Sequence, residues 1–311
     1  MSGSREGKQN WGLSWADGFL LFVAVLWGVN FSVVKFALAE IPPLAFNGMR
    51  FLIASGTMLL LAFATGRRFN FQRKHLLYLV GIGLVGNTAY QLFFVFGIAN
   101  TAAANSSLIL ATVPAWVALI GTVIGVERVG VKGWVGIALS LLGIALIIWG
   151  SDRFADFQLG GPSLKGDLLI LAGTICWSTY TLLVRPMTRH YSSVSVTSFS
   201  TAIGTIPLVL VAIPSWRTLE WTGVPISAWL ALAASGVFAI AIAYFLWNHG
   251  VSRLGSARTS LYSNLALPIA LLTAWLWLGE TLTPLQWWGT LLALAGVILA
   301  RRFTRPAKSH K

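Results

Sequence analysis

The sequence predicts an all-α integral membrane protein of ten transmembrane helices, arranged as two inverted-topology five-helix repeats. Three observations predict it. Of the 311 residues, 56% are hydrophobic and only 10% charged, with a mean hydropathy of +0.76; a soluble domain carries roughly a quarter charged residues. The apolar residues fall in runs of about 18–24, and about 20 residues of helix cross a bilayer core of roughly 30 Å. The second half of the chain also repeats the first.

The first run, 17–38, follows a polar stretch carrying Arg5 and Lys8. It is longer than a signal-peptide core, contains Asn30 and has no small-residue cleavage site, so it reads as a permanent span. The second, 43–64, holds Arg50 within "AFNGMRFLIASG". A charge there costs at least about 2.5 kcal/mol on insertion scales and demands a reason. In the third, 75–98, Asn87, Tyr90, Gln91 and Phe94 fall on one side of a helix. The fourth, 102–123, offers Asn105, and the fifth, 131–149, is nearly pure hydrocarbon apart from Ser140.

The sixth run, 164–186, places Trp177, Tyr180 and Thr181 on a shared face, as the first does with Trp27 and Asn30. It also holds the single cysteine, Cys176, which alone makes neither an internal disulfide nor a metal site, so its expected role is packing. The seventh run is 193–213. The eighth, 226–249, offers Tyr244 and Asn248, and the ninth, 256–278, offers Ser260 and Asn264. The tenth, 284–300, is again hydrocarbon apart from Thr290. The glycine pairs Gly136/Gly143 and Gly289/Gly296 suit the fifth and tenth helices to close contact. These two helices are expected at the periphery, as the candidate surface for a homodimer. The loops are short and leave no room for a separate soluble domain.

The net charge of +13 is distributed as in a membrane protein, and nucleic acid is not an expected partner. With the N-terminus cytoplasmic, only Lys35, Arg153, Lys165 and Arg217 of the 22 basic residues fall in outer segments, and Arg50 alone lies within a span. The others lie in inner segments, which is the positive-inside asymmetry and places both termini in the cytoplasm. The basic tail reads as an anchor near anionic membrane lipid.

At an offset of about 150, "DGFLLFVAVLWGVNFSVVK" (17–35) lines up with "DLLILAGTICWSTYTLLVR" (167–185), matching Asp17 to Asp167 and Trp27 to Trp177. Further on, 113–146 lines up with 267–299, where Pro114 meets Pro268 and Glu127 meets Glu280. The domains are therefore 1–150 and 151–311, the second ending in the basic cytoplasmic tail. Five spans per half is an odd number, so the second half enters from the opposite side. Inverted repeats of this kind support alternating access around a site near the midplane.

The "LWGVNFSVVK" opening, "MRFLIAS" in the second span and "GETLTPLQWWGTLLALAGVILA" near the end carry a specific resemblance, as does "GVERVGVKGWVGIALSLLGIALI" in the first half. The chain resembles the EamA-type, ten-helix members of the drug/metabolite transporter superfamily over roughly 17–302. Among these it is most similar to bacterial inner-membrane exporters of amino acids, including aromatic ones. The resemblance implies efflux and an amino-acid cargo of broad specificity.

Polar residues within spans are expected to face the bundle interior. The candidate cargo-binding set is Trp27, Asn30, Asn87, Tyr90, Gln91, Asn105, Trp177, Tyr180, Tyr244, Asn248, Ser260 and Asn264. The bland alternative for each is helix–helix hydrogen bonding or an interfacial aromatic belt. Two readings stay open for Arg50: a structural or gating pair with Glu40 on the outer side, or a bidentate contact with a cargo carboxylate. Asp17 and Asp167 open helices, where a carboxylate caps free N–H groups. Glu127 and Glu280 fall where the fourth and ninth spans end, as loop structure or gate contacts. His249, at a helix end beside Gly250, is expected to be structural.

No cofactor, metal or catalytic residue is expected. The spans lack the nucleophile-and-base pairing an intramembrane enzyme needs. All nine acidic residues lie in termini, loops or helix ends, which disfavours export of drugs or lipophilic cations and predicts facilitative transport without proton coupling. Nucleotide sugars are disfavoured because Arg50 is the sole deep cation for a diphosphate. A non-transporting scaffold or receptor would leave the repeat and the polar faces without a purpose.

Overall fold

Helix is the default for an apolar chain that must satisfy every backbone N–H and C=O internally, and the sequence punctuates those helices with caps and prolines. The structure is a computed structural model and describes residues 14–67, 69–98, 100–101, 103–150, 164–269, 272 and 283–306. It is nearly all helical. α1 (Trp15–Leu38) starts at a capping box in which Ser14 and Asp17 each accept the other's backbone N–H. α2 (Pro43–Ala64) begins with a proline whose missing N–H would be unpaired there in any case. α3 (Arg73–Gly83) continues through a π-helical stretch, Leu84–Ala89, into α4 (Tyr90–Ile98).

α5 (Ala103–Leu110) and α6 (Val113–Val123) divide the fourth apolar run. The single helix expected there is interrupted because Pro114 supplies no N–H to the carbonyl one turn earlier and its ring crowds it. β1 (Glu127–Val129) leads to α7 (Val131–Trp149), and α8 (Leu164–His190) and α9 (Ser193–Thr218) follow. α10 (Ile226–Ala234) passes through a second π-helical stretch, Ser235–Ile242, into α11 (Ala243–Leu254). Gly255, at φ +89°, turns the chain into short α12 (Ser256–Ser260) and a 3₁₀ turn, Leu261–Leu265. α13 (Pro284–Phe303), opened by a Thr283–Gln286 capping box, runs into β2 (Thr304–Pro306).

Helices thus occupy each of the ten apolar runs as far as the residues are described. Among the described residues, five are long and apolar enough to cross a bilayer: Pro43–Ala64, Arg73–Gly97, Leu164–His190, Ser193–Thr218 and Ile226–Leu254. Trp15–Asn30, Leu108–Val123 and Val131–Ile147 are shorter apolar helical stretches.

The most extensive helix pairings join the first half of the chain to the second: α7 with α13, α2 with α9, α4 with α8, and α1 with α11. In the first of these, Gly136 sits against the backbone of Ala300 and Gly296 against that of Ser140, so a Cβ at either would collide. The glycine faces of the fifth and tenth helices are therefore engaged within the chain, while Leu142, Trp288 and Ile298 face outward. β1 pairs antiparallel with β2, Glu127 opposite Pro306 and Val129 opposite Thr304, tying the loop after α6 to the C-terminal segment.

Candidate functional site

Between the halves lies a cavity of about 180 Å³, walled by aromatic side chains and one charge. Trp177, on α8, is the hub of the wall. Its ring centroid lies 5.2 Å from Tyr90, 5.0 Å from Tyr244, 5.9 Å from Trp27 and 5.2 Å from Tyr180. Such offset and edge-on contacts each contribute about 0.5–1.5 kcal/mol beyond area burial, so the rings hold one another in place. Trp27 is fixed further by its indole N–H, which donates to the carbonyl of Ala239 at 3.0 Å. Tyr90 and Tyr244 occupy related places. Each follows a π-helical stretch, Leu84–Ala89 before one and Ser235–Ile242 just before the α11 turn holding the other. The wider backbone turn re-aims the side chains beyond it, as is common at functional sites.

Arg50 supplies the charge. It is 7% exposed, and its Nη2 donates to Asn47 Oδ1 at 3.0 Å and Gln91 Oε1 at 3.3 Å, while Nη1 reaches Ser235 Oγ at 3.5 Å. Ser235 in turn donates to Asn30 Oδ1 at 2.7 Å, and Gln91 Nε2 donates to the Tyr244 hydroxyl at 3.3 Å. The guanidinium stands 5.4 Å from the Phe46 ring centroid and 5.9 Å from that of Phe51. All of these partners are neutral. The three ion pairs among the described residues do not include Arg50 or Glu40, and Arg50 Nε has no hydrogen-bond partner there. With no counter-ion among the described residues, burying the guanidinium costs of the order of several kcal/mol, and a cargo anion would offset that cost.

The structure brings Trp27, Asn30, Arg50, Tyr90, Gln91, Trp177, Tyr244 and Asn264 onto the cavity wall. Other predicted residues lie off the wall. Asn87 donates to Ser200 O at 3.1 Å and Asn248 to the Tyr180 hydroxyl at 2.7 Å and to Thr197, both between helices, while Ser260 donates to Ala257 O within its own helix. Tyr180 lies behind Trp177 rather than on the wall. The Asn105 side chain and Glu280 lie outside the described residues. Sequence reasoning missed Ser235, although a serine–glycine pair breaking an apolar run was a usable signal. Asn47 was legible too, lying one helical turn before Arg50.

One end of the bundle carries two buried ion-paired clusters. Asp17, fully buried, is paired by Arg301 (Nη2 to Oδ2, 2.8 Å) and Arg258 (Nη2 to Oδ1, 3.2 Å), and accepts from the Tyr262 hydroxyl at 2.6 Å. Its expected capping role is present but is the smaller part of what it does. Glu127 Oε1 pairs with Arg185 Nη1 at 3.2 Å and accepts the backbone N–H of Ser256 at 2.8 Å. Burial pushes the Glu127 carboxyl up from the usual carboxylate range, with Arg185 and the two backbone amides at the start of α12 pulling the other way. α12 thus joins the two clusters, its first residue on Glu127 and its Arg258 on Asp17.

At the opposite end, Thr101 donates to Asp167 at 2.5 Å and Thr283 to Gly150 O at 2.9 Å. All three ion pairs among the described residues belong to the first end. His249 packs edge-on to Phe19, with ring centroids 6.0 Å apart, and Cys176 is half-buried with a free thiol. No group of three His, Cys, Asp or Glu among the described residues is placed to hold a metal.

The EamA-like transporter family matches residues 14–149 and again 164–302. "Uncharacterized transporter YyaM" of Bacillus subtilis is 27% identical over 93% of this chain and 94% of its own. The "Probable amino-acid metabolite efflux pump" of Salmonella typhimurium is 28% identical over 92% and 95%. The "Probable terminal-alkyne amino-acid exporter" of Streptantibioticus cattleyicolor is 26% identical over 94% and 95%. A solved structure described as "Crystal structure of protein" shares the fold at a TM-score of 0.80 and 18% identity, covering 93% of this chain and 97% of its own.

Proposed function

The chain belongs to the EamA-like transporter family, and from that premise we propose that it exports amino acids of broad specificity, aromatic and neutral ones included, across the bacterial inner membrane. The observation that carries the proposal is the aromatic-walled cavity with Arg50 in its side. Stacked rings suit varied apolar side chains, while Arg50, Asn30 and Asn264 suit the polar groups that amino acids share. Two relatives named for amino-acid or amino-acid-metabolite export support the cargo class.

Ten spans in two inverted repeats are the architecture this reading requires. The double match of one family, the pairing of each helix with one from the other half, and the related π-helical stretches favour it. Both termini are then cytoplasmic, and the ion-paired end is the cytoplasmic end. In this reading the Asp17 and Glu127 clusters latch the cytoplasmic end while the cavity faces outward. Two copies pairing through α7 and α13 would use their outward faces, since the glycine faces already meet.

The test is flux into liposomes holding the purified protein, with a phenylalanine gradient and no pH difference or voltage. Saturable phenylalanine flux without accompanying proton movement is expected. A competition panel of amino acids, cationic dyes and nucleotide sugars should show inhibition by amino acids. Inhibition by the dyes alone would replace this reading with drug export.

A further inference from the structure

Arg50 and the carboxylates are unequally placed. Arg50 lines the cavity, and among the described lining residues no carboxylate accompanies it. A free amino acid would bring a carboxylate that Arg50 can hold and an ammonium for which the wall offers only neutral acceptors and ring faces. Asn264, 2% exposed and on the same wall, has an Oδ1 with no hydrogen-bond partner. Such an oxygen accepts an N–H from an amide or an ammonium alike, so the choice between them falls to charge, and an amide carries none to neutralise.

Resting on the reading of this cavity as the cargo site, we propose that the preferred cargo is a net monoanion: an amino-acid derivative whose carboxylate meets Arg50 and whose amine is masked as an amide. The bound site is then electrically neutral, whereas a zwitterion leaves it with one positive charge in a low-dielectric chamber. Net movement of such a cargo carries one negative charge across the membrane. An inside-negative potential therefore expels it with no coupling ion, in keeping with the placement of all nine acidic residues in termini, loops or helix ends. At 100 mV, one charge corresponds to an equilibrium ratio of about 50-fold.

The test uses the full chain in liposomes, with voltage set by a potassium gradient and valinomycin, and two probes, N-acetylphenylalanine and phenylalanine. N-acetylphenylalanine should distribute toward the positive side, approaching about 50-fold at 100 mV, and should outcompete phenylalanine. Arg50→Gln should lower its flux at least about tenfold and Arg50→Lys should keep the voltage dependence; if Arg50→Gln fails to fold, the unmodified protein still decides the matter. A voltage-independent phenylalanine flux with no N-acetylphenylalanine flux would overturn this inference and leave amino-acid export standing. An N-acetylphenylalanine distribution that ignores voltage would also overturn it. Flux of neither probe above empty liposomes would overturn both readings.

Discussion

At the scale of single residues, Trp177 holds the cavity wall together and Tyr90 faces it across the halves. Tyr90→Ala removes two ring contacts, with Trp177 and Phe94, each worth about 0.5–1.5 kcal/mol beyond its area, so flux of bulky aromatic cargo should fall at least about tenfold relative to small cargo. Trp177→Ala removes several such contacts and should shift selectivity further. Both variants should still elute as folded protein on size-exclusion chromatography. Unchanged transport of every substrate by both would remove these residues from the cargo path. The sequence singled out both residues because each shares a helix face with polar neighbours, Tyr90 with Asn87 and Gln91 and Trp177 with Tyr180 and Thr181. It also singled out Arg50, but the open choice between Glu40 and a cargo carboxylate could not be narrowed by spacing. The partners that structure adds, Gln91 and Ser235, are 41 and 185 residues away in the chain. Only Asn47, one turn back, was within local reach.

At the scale of elements, apolar runs and caps made the helices legible almost end to end. What remained hidden were departures from regular helix: the break before Pro114, the π-helical stretches before Tyr90 and Tyr244, and short α12. These depend on tertiary packing that hydrophobic periodicity does not encode. α12 matters most for movement, because it joins Glu127 and Asp17. Breaking one side of a buried ion pair costs about 3–5 kcal/mol. Glu127→Gln leaves Arg185 uncompensated and weakens the hold on Ser256, so the ion-paired end, cytoplasmic in the proposed topology, should open more often. The check is limited proteolysis from the cytoplasmic side near Gly255, which should speed up several-fold in the variant. An unchanged rate would mean that the cluster is ordinary loop packing.

At the scale of the whole molecule, the repeat was visible in the alignment of Asp17 with Asp167 and Trp27 with Trp177, whereas the partners of each aspartate were not, because they come from distant parts of the chain: Arg258 and Arg301 for Asp17, Thr101 for Asp167. Under the proposed alternating access, the cavity reaches solvent from one face at a time. The most direct measurement places a single cysteine on the cavity wall, Ser263→Cys in a Cys176→Ser background, and labels it in intact cells with a membrane-impermeant maleimide. The cavity should label from the periplasmic side, cargo should protect it, and adding Glu127→Gln should shift labelling to the cytoplasmic side of inverted vesicles. Labelling that no amino acid or derivative slows, and that Glu127→Gln leaves on the same side, would contradict alternating access through this cavity.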